Sequence, residues 1–224
     1  MIERYNKERE YASLTAILDC RTVVERKDFV STGVLTHAEG DLIEIEIAEY
    51  DHFQLGEAVK MTIYSPVGIH IIQSTVIAKY EGAILIIHPP NNLSKFEDKR
   101  KYPRIASNKG GHIHTLVHEL APVPLEDPIF FNLKNISVEG LGFTLFEERT
   151  FQVHTKLQAE LDLGFLFPCT FRIVRSSESG EGMFYGAELL NVSEEYLRNL
   201  RAYILKQQIE NHYERKSKEK YFSL

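Results

Sequence analysis

Between Asp28 and Ile87 apolar and polar residues alternate in short runs: "DFVSTGVLTH", "EGDLIEIEIAEY", "EAVKMTIYS", "HIIQSTVIAKY" and "GAILIIHPP". Period-two alternation rich in β-branched residues is the mark of strands half buried in an antiparallel sheet. In "LIEIEI" the side chains of Ile43, Ile45 and Ile47 share one face. Glu44 and Glu46 share the other with Leu42, so that face is expected to meet water. Turn signals such as "AEGD" and "SPVG" recur at short spacing, as a small barrel or sandwich built from hairpins requires. Residues 1–88 are read as one β domain.

Paired prolines and asparagines in "HPPNNLSKFE" then break the alternation, and residues 89–103 are read as a linker. The β pattern resumes in "DPIFFNLKNISVEGLGFTLFE", "TKLQAELDL", "FLFPCTFRIVRSS" and "GMFYGAELLNV", giving a second β domain over 104–224. The span "SNKGGHIHTLVHELAPVPLED" inside 105–134 stays open between a pair of strands with a long turn and an insertion. From Ser193 the period changes to that of a helix, expected over 193–217, with Ser193 as N-cap and Glu194 and Glu195 in the first turn. Leu197, Leu200, Ile204 and Gln208 form a stripe flanked by Tyr196 and Tyr203, which suits packing on the helix's own domain. Its continuation through Ile209 and Tyr213 suits a second use, pairing of two copies in a homodimer. The predicted fold class is mainly β: two small antiparallel β-barrels joined by a basic linker, with a C-terminal α-helix.

Composition narrows the function. The chain of 224 residues is 43% hydrophobic and 26% charged, the profile of an ordinary globular protein. A net charge of −6 and a pI near 5.9 argue against nucleic-acid coating or general binding to anionic membranes. Cys20 and Cys169 form no C-x-x-C pair, so neither a disulfide framework nor a cysteine zinc site is expected. The start "MIERYNKERE" is charged where a signal peptide would be apolar, and no stretch approaches the ~20 apolar residues of a membrane span. A cytoplasmic protein without membrane insertion is the expectation.

Positive charge nonetheless gathers locally. "DKRKYPRI" places Arg100 and Arg104 four residues apart, and "NISVEG" follows with Asn135, Ser137 and Gly140. An arginine pair at that spacing arises by composition in about every second such chain, so the specificity lies in the second motif and in the order of the two. Together, R-x-x-x-R followed by [D/N]-x-S-x-x-G resembles the signature of the PilZ domain, a small β-barrel that binds the bacterial second messenger cyclic di-GMP. The resemblance covers about residues 96–192, and a β domain ahead of it resembles the flagellar-brake class, whose linker carries the arginines.

The resemblance implies that Arg100, Arg104, Asn135, Ser137 and Gly140 contact cyclic di-GMP, and that Lys99 reaches a second ligand molecule stacked on the first. Arg172, Arg175 and Gly142 are further candidates, with Arg149 a weaker one. The chemistry fits: guanidinium groups bind guanine edges and phosphates in bidentate fashion and stack on bases. Asn135 offers an amide to guanine, Ser137 a hydroxyl to base or phosphate, and Gly140 room for close approach. Tyr102 is expected to pack on the barrel and Pro103 to stiffen the segment. The implied function is a cyclic di-GMP receptor that changes its interdomain arrangement and regulates a partner protein, a flagellar motor component or a polysaccharide synthase. The alternative is a PilZ-fold interaction protein that binds no nucleotide.

Two other readings fall away. His112 and His114 share a strand face near His118 and Glu119, but no further ligand stands at a defined spacing, so no metal site is assigned. No P-loop, nucleophile elbow or paired-carboxylate motif is present, so neither an enzyme nor a cofactor is expected.

Overall fold

The computed structural model describes residues 17–87, 102–118, 121–146, 149–180 and 182–222. The chain divides into two compact units, Met1–Pro103 and Arg104–Leu224.

In the first unit six antiparallel strands close into a barrel in the order β1-β2-β3-β6-β5-β4. They are β1 (Cys20–Arg26), β2 (Phe29–Glu39), β3 (Leu42–Glu46), β4 (Ala58–Ser65), β5 (Gly68–Tyr80) and β6 (Ala83–Ile87). Strand β1 precedes the alternation read from Asp28. Thr22 occupies an inward position in it, fully buried with its hydroxyl donating to the Cys20 carbonyl at 3.2 Å, so polarity does not mark the inner face. The core is aliphatic, built by Val24, Leu35, Ile43, Ile45, Met61, Ile63, Ile84 and Ile86 around Phe53.

One expectation is overturned here. Alternation places Glu44 on a wet face, yet it is 1% exposed, with Thr36 Oγ1 and Tyr80 OH donating to its two carboxylate oxygens. Hydroxyl donors from two other strands replace the water that alternation assigned to it, which is how a buried carboxylate escapes the cost of desolvation. Burial, then the bond to Glu44, pushes the Tyr80 phenol above its ordinary value. A phenol whose pKa is raised on folding adds stability in full below the unfolded value, about 10, and loses it as pH rises beyond. Urea titrations at pH 8 and pH 10.5 should therefore show the intact protein losing stability at the higher pH by about 1 kcal/mol more than Tyr80→Phe. Equal losses would show that the phenol is not held protonated.

The second unit also closes. Its sheet runs β10-β13-β12-β11-β8-β9-β7, and β10 pairs back onto β9 to complete a six-stranded barrel with β7 as a short addition to β9. The strands are β7 (Ile105–Ala106), β8 (Gly110–Val117), β9 (Pro122–Ile136), β10 (Gly140–Leu145), β11 (Lys156–Asp162), β12 (Leu166–Ser179) and β13 (Gly182–Leu190). The span left open by the sequence is thus mostly strand, β8 paired antiparallel with β9. Aromatic rings fill the core: Phe143 lies 4.8 Å from Phe131, 5.5 Å from Phe171 and 5.3 Å from Tyr185. Such pairs add to the burial of their large apolar area.

Helix α1 (Glu194–Phe222) runs five residues beyond the expected end at 217. Leu200 and Ile204 are buried in the second core, while Tyr196 and Tyr203 set their rings edge-on to Phe167 and Phe165. Burial along the helix continues past Ile204 to His212, which is 3% exposed, while Tyr213 beside it is exposed. Among the described residues no helix is long and apolar enough to cross a membrane.

Candidate functional site

Arg104 of the first motif and Asn135 of the second lie 31 residues apart in sequence and meet beside one strand, β9. "NISVEG" forms the end of β9, the turn to β10 and the first residue of β10, while "YPRI" leads into β7, which pairs with that same end of β9. Ile105 stands opposite Ile136 and Ala106 opposite Asn135, so Arg104, exposed and immediately before β7, flanks the Asn135–Ser137 turn. Tyr102 is half-buried. Lys99 and Arg100 lie outside the described residues, as does Glu119.

Across the outer face of the barrel the register aligns Asn135 on β9, Gly142 on β10, Gly186 on β13 and Arg175 on β12 in one row. The two central positions carry no side chain, and the flanking side chains lie over them. A Cβ on Gly142 would meet Asn135 Nδ2 at 2.7 Å and the Phe184 ring at 2.9 Å; one on Gly186 would meet Arg175 Nε at 2.7 Å. The Arg175 guanidinium also sits 5.6 Å from the Phe184 ring centroid, within reach of a cation–π contact. The row is a shallow floor of two glycines carrying an amide, an aromatic ring and a guanidinium.

Both flanking polar side chains owe their aim to β-bulges. On β12 Phe171 and Ile173 point into the core, and strict alternation would send Arg175 after them. The pairing slips between Ile173 and Arg175, an extra residue enters at Val174, and Arg175 turns outward onto Gly186. On β9 Leu133 and Ile136 are both buried. A slip opposite Gly142 and Phe143, with Lys134 as the extra residue, turns Asn135 outward. Bulges re-aim side chains in this way without ending a strand.

The other candidates are placed differently. Ser137 is 4% exposed and its hydroxyl donates to the Gly140 carbonyl at 3.2 Å, the same oxygen that accepts the Ser137 N–H at 2.8 Å. It shapes the β9–β10 turn instead of presenting a free hydroxyl. A Cβ on Gly140 would stand 2.5 Å from the Ala187 carbonyl oxygen, so this glycine lets β10 approach β13. Arg172 is engaged in an ion pair with Glu188, directly across from it on β13, and this removes it from the row of Arg175. Next to it, Lys156 borders an open cleft of 310 Å³ shared with Leu116, His118, His154 and Thr155, and none of Arg104, Asn135, Ser137 and Gly140 lines it. Arg149 is exposed. His112 and His114 are exposed, His112 edge-on to Phe130 and His114 bonded to Thr115; among the described residues no three acidic, histidine or cysteine side chains gather as a metal site.

Sequence reasoning missed Gly186 and Phe184, although "MFYGAELL" held a signal: a glycine inside a strand pattern marks close approach to a neighbour.

Comparison with known proteins yields one family match, the PilZ domain, over residues 98–206. No curated protein sequence matches the chain. Among solved structures the chain is similar to the Bacillus subtilis inhibitor of motility (MotI/DgrA), at 14% identity and a TM-score of 0.43, covering 86% of this chain and 97% of that one. It is similar to YcgR from Escherichia coli in complex with c-di-GMP, at 17% identity and a TM-score of 0.44, covering 89% and 88%. It is also similar to the K. pneumonia MrkH–c-di-GMP complex, at 11% identity and a TM-score of 0.40, covering 88% and 90%. With Asn135, Ser137 and Gly140 at the β9–β10 turn of a closed barrel, Arg104 beside them, and the family match running from the basic segment into α1, this chain carries a PilZ domain over residues 98–206.

Proposed function

We propose that the protein is a cyclic di-GMP receptor, a binding module without catalytic activity or further cofactor that works in the cytoplasm. The observation that carries this reading is the pairing of β7 with β9, which brings Arg104 beside the Asn135–Ser137 turn. A dinucleotide with two guanines and two phosphates matches this chemistry: Arg104 for a phosphate or a guanine edge, Asn135 for a guanine edge, Arg175 for stacking or phosphate. Arg100 and Lys99 precede Arg104 in the same basic segment and add charge for the phosphates.

The same segment joins the two units. A ligand that engages Arg100 and Arg104 together with Asn135 fixes the segment against the second barrel, and this changes the orientations open to the first. The ligand shifts that balance only by its preference for the fixed arrangement. Two charge-assisted contacts, at about 1.5–3 kcal/mol each, supply a shift of about a hundredfold or more. The output is contact with a partner protein, a flagellar motor component or a polysaccharide synthase.

Calorimetric titration of the whole protein with cyclic di-GMP, with GTP as control, tests the reading. Saturable binding of the dinucleotide and none of GTP is expected. Absence of binding in folded protein would leave a PilZ-fold interaction protein that does not read the nucleotide.

A further inference from the structure

Arg172 and Arg175 stand on the same strand and are held in different ways. Arg172 is tied to Glu188, so a carboxylate occupies part of its guanidinium. Among the described residues the Arg175 guanidinium has neither an ion pair nor a hydrogen bond, and Gly186 and Phe184 are what it lies against. The register sets Arg175 opposite Gly186 and Ser177 opposite Phe184, which makes Phe184 the diagonal neighbour of Arg175. A Cβ on Gly186 would meet Arg175 Nε, Cγ and Cδ at 2.7, 2.8 and 3.3 Å, so the arginine stem lies flat across the glycine. At the end of that stem the guanidinium carbon sits 5.6 Å from the centre of the Phe184 ring.

Phe184 is an outward residue of β13, directly across from Thr144, and its ring leans along the sheet to bring Cζ within 2.9 Å of where a Gly142 Cβ would stand. It is half-buried yet belongs to neither hydrophobic core. An exposed arginine left to itself samples many rotamers, and a ligand contact must first offset that freedom. A carboxylate would fix the arginine but would take up its donors. An aromatic ring attracts the cation through its π face and forms no bidentate bond with those donors. We infer that Phe184 is a positioning residue for Arg175: it holds the guanidinium over the glycine floor, ordered in advance, with its N–H donors left for an anionic dinucleotide. The inference rests on the reading of the protein as a cyclic di-GMP receptor.

Calorimetric titration of the full chain with cyclic di-GMP tests it on the wild type, Phe184→Leu, Arg175→Ala and the double variant. Phe184→Leu should weaken binding about tenfold without moving the urea midpoint, since leucine keeps an apolar cover over Gly142 but offers no π face. In the Arg175→Ala background the same substitution should cost about twofold or less, because the ring then has nothing to hold. Equal losses in the two backgrounds would overturn the inference, showing that the ring acts on the ligand or the barrel directly. So would wild-type affinity in either single variant. A wild type that fails to bind would overturn the receptor reading and this role with it, whereas a wild type that binds no better than Phe184→Leu overturns only the role of Phe184.

Discussion

Arg104→Ala should weaken cyclic di-GMP binding about a hundredfold while leaving the second barrel folded. The guanidinium is exposed at the entrance to β7, so the core loses nothing when it goes. What goes is a bidentate, charge-assisted contact and its partner interactions, about 3 kcal/mol in all, at 1.4 kcal/mol per factor of ten. Arg104→Lys separates charge from geometry: an ammonium keeps the attraction to phosphate but cannot form the planar fork, and about a tenfold loss is expected. Calorimetry on the three proteins, with circular dichroism to verify folding, reads both numbers. Wild-type affinity in Arg104→Ala would remove the first motif from the site.

The second large effect separates two glycines that lie two residues apart on the same strand. In Gly140→Ala the new methyl group meets the Ala187 carbonyl oxygen at 2.5 Å, and that oxygen belongs to the backbone of the paired strand. It can yield only if β10 and β13 part, so a loss of about 3 kcal/mol is expected in urea unfolding. In Gly142→Ala the methyl group meets the end of the Asn135 side chain and the edge of the Phe184 ring, both of which can turn away. Stability should fall by no more than about 1 kcal/mol, while affinity for cyclic di-GMP falls at least tenfold because Asn135 loses its seat. If Gly142→Ala bound normally, the glycine floor would not be part of the site.

Much of this was legible in the chain. Most strands from β2 to β5 and from β10 to β13 follow from apolar residues recurring every second position, and β6 from a short continuous apolar run. The helix follows from the change of period at Ser193. The signature residues are contiguous enough to be read directly. Three strands escaped the pattern: β7, at two residues, is too short to show a period, and the other two escaped for definite reasons. In β1 a threonine holds a core position, and in β8 the glycines and histidines blur the contrast between faces.

What local pattern determined is which face of each strand is apolar, because alternation is a property of neighbouring residues. Three placements contradict alternation, and only closure of the barrels decided them. Glu44 is buried because β2 and β5 bring Thr36 and Tyr80 to it. Asn135 and Arg175 point outward because one extra residue in each strand reverses the phase. The row from Asn135 through Gly142 and Gly186 to Arg175 joins four strands. Register between strands is set by how whole faces fit when a barrel closes, a non-local condition that no stretch of sequence carries by itself.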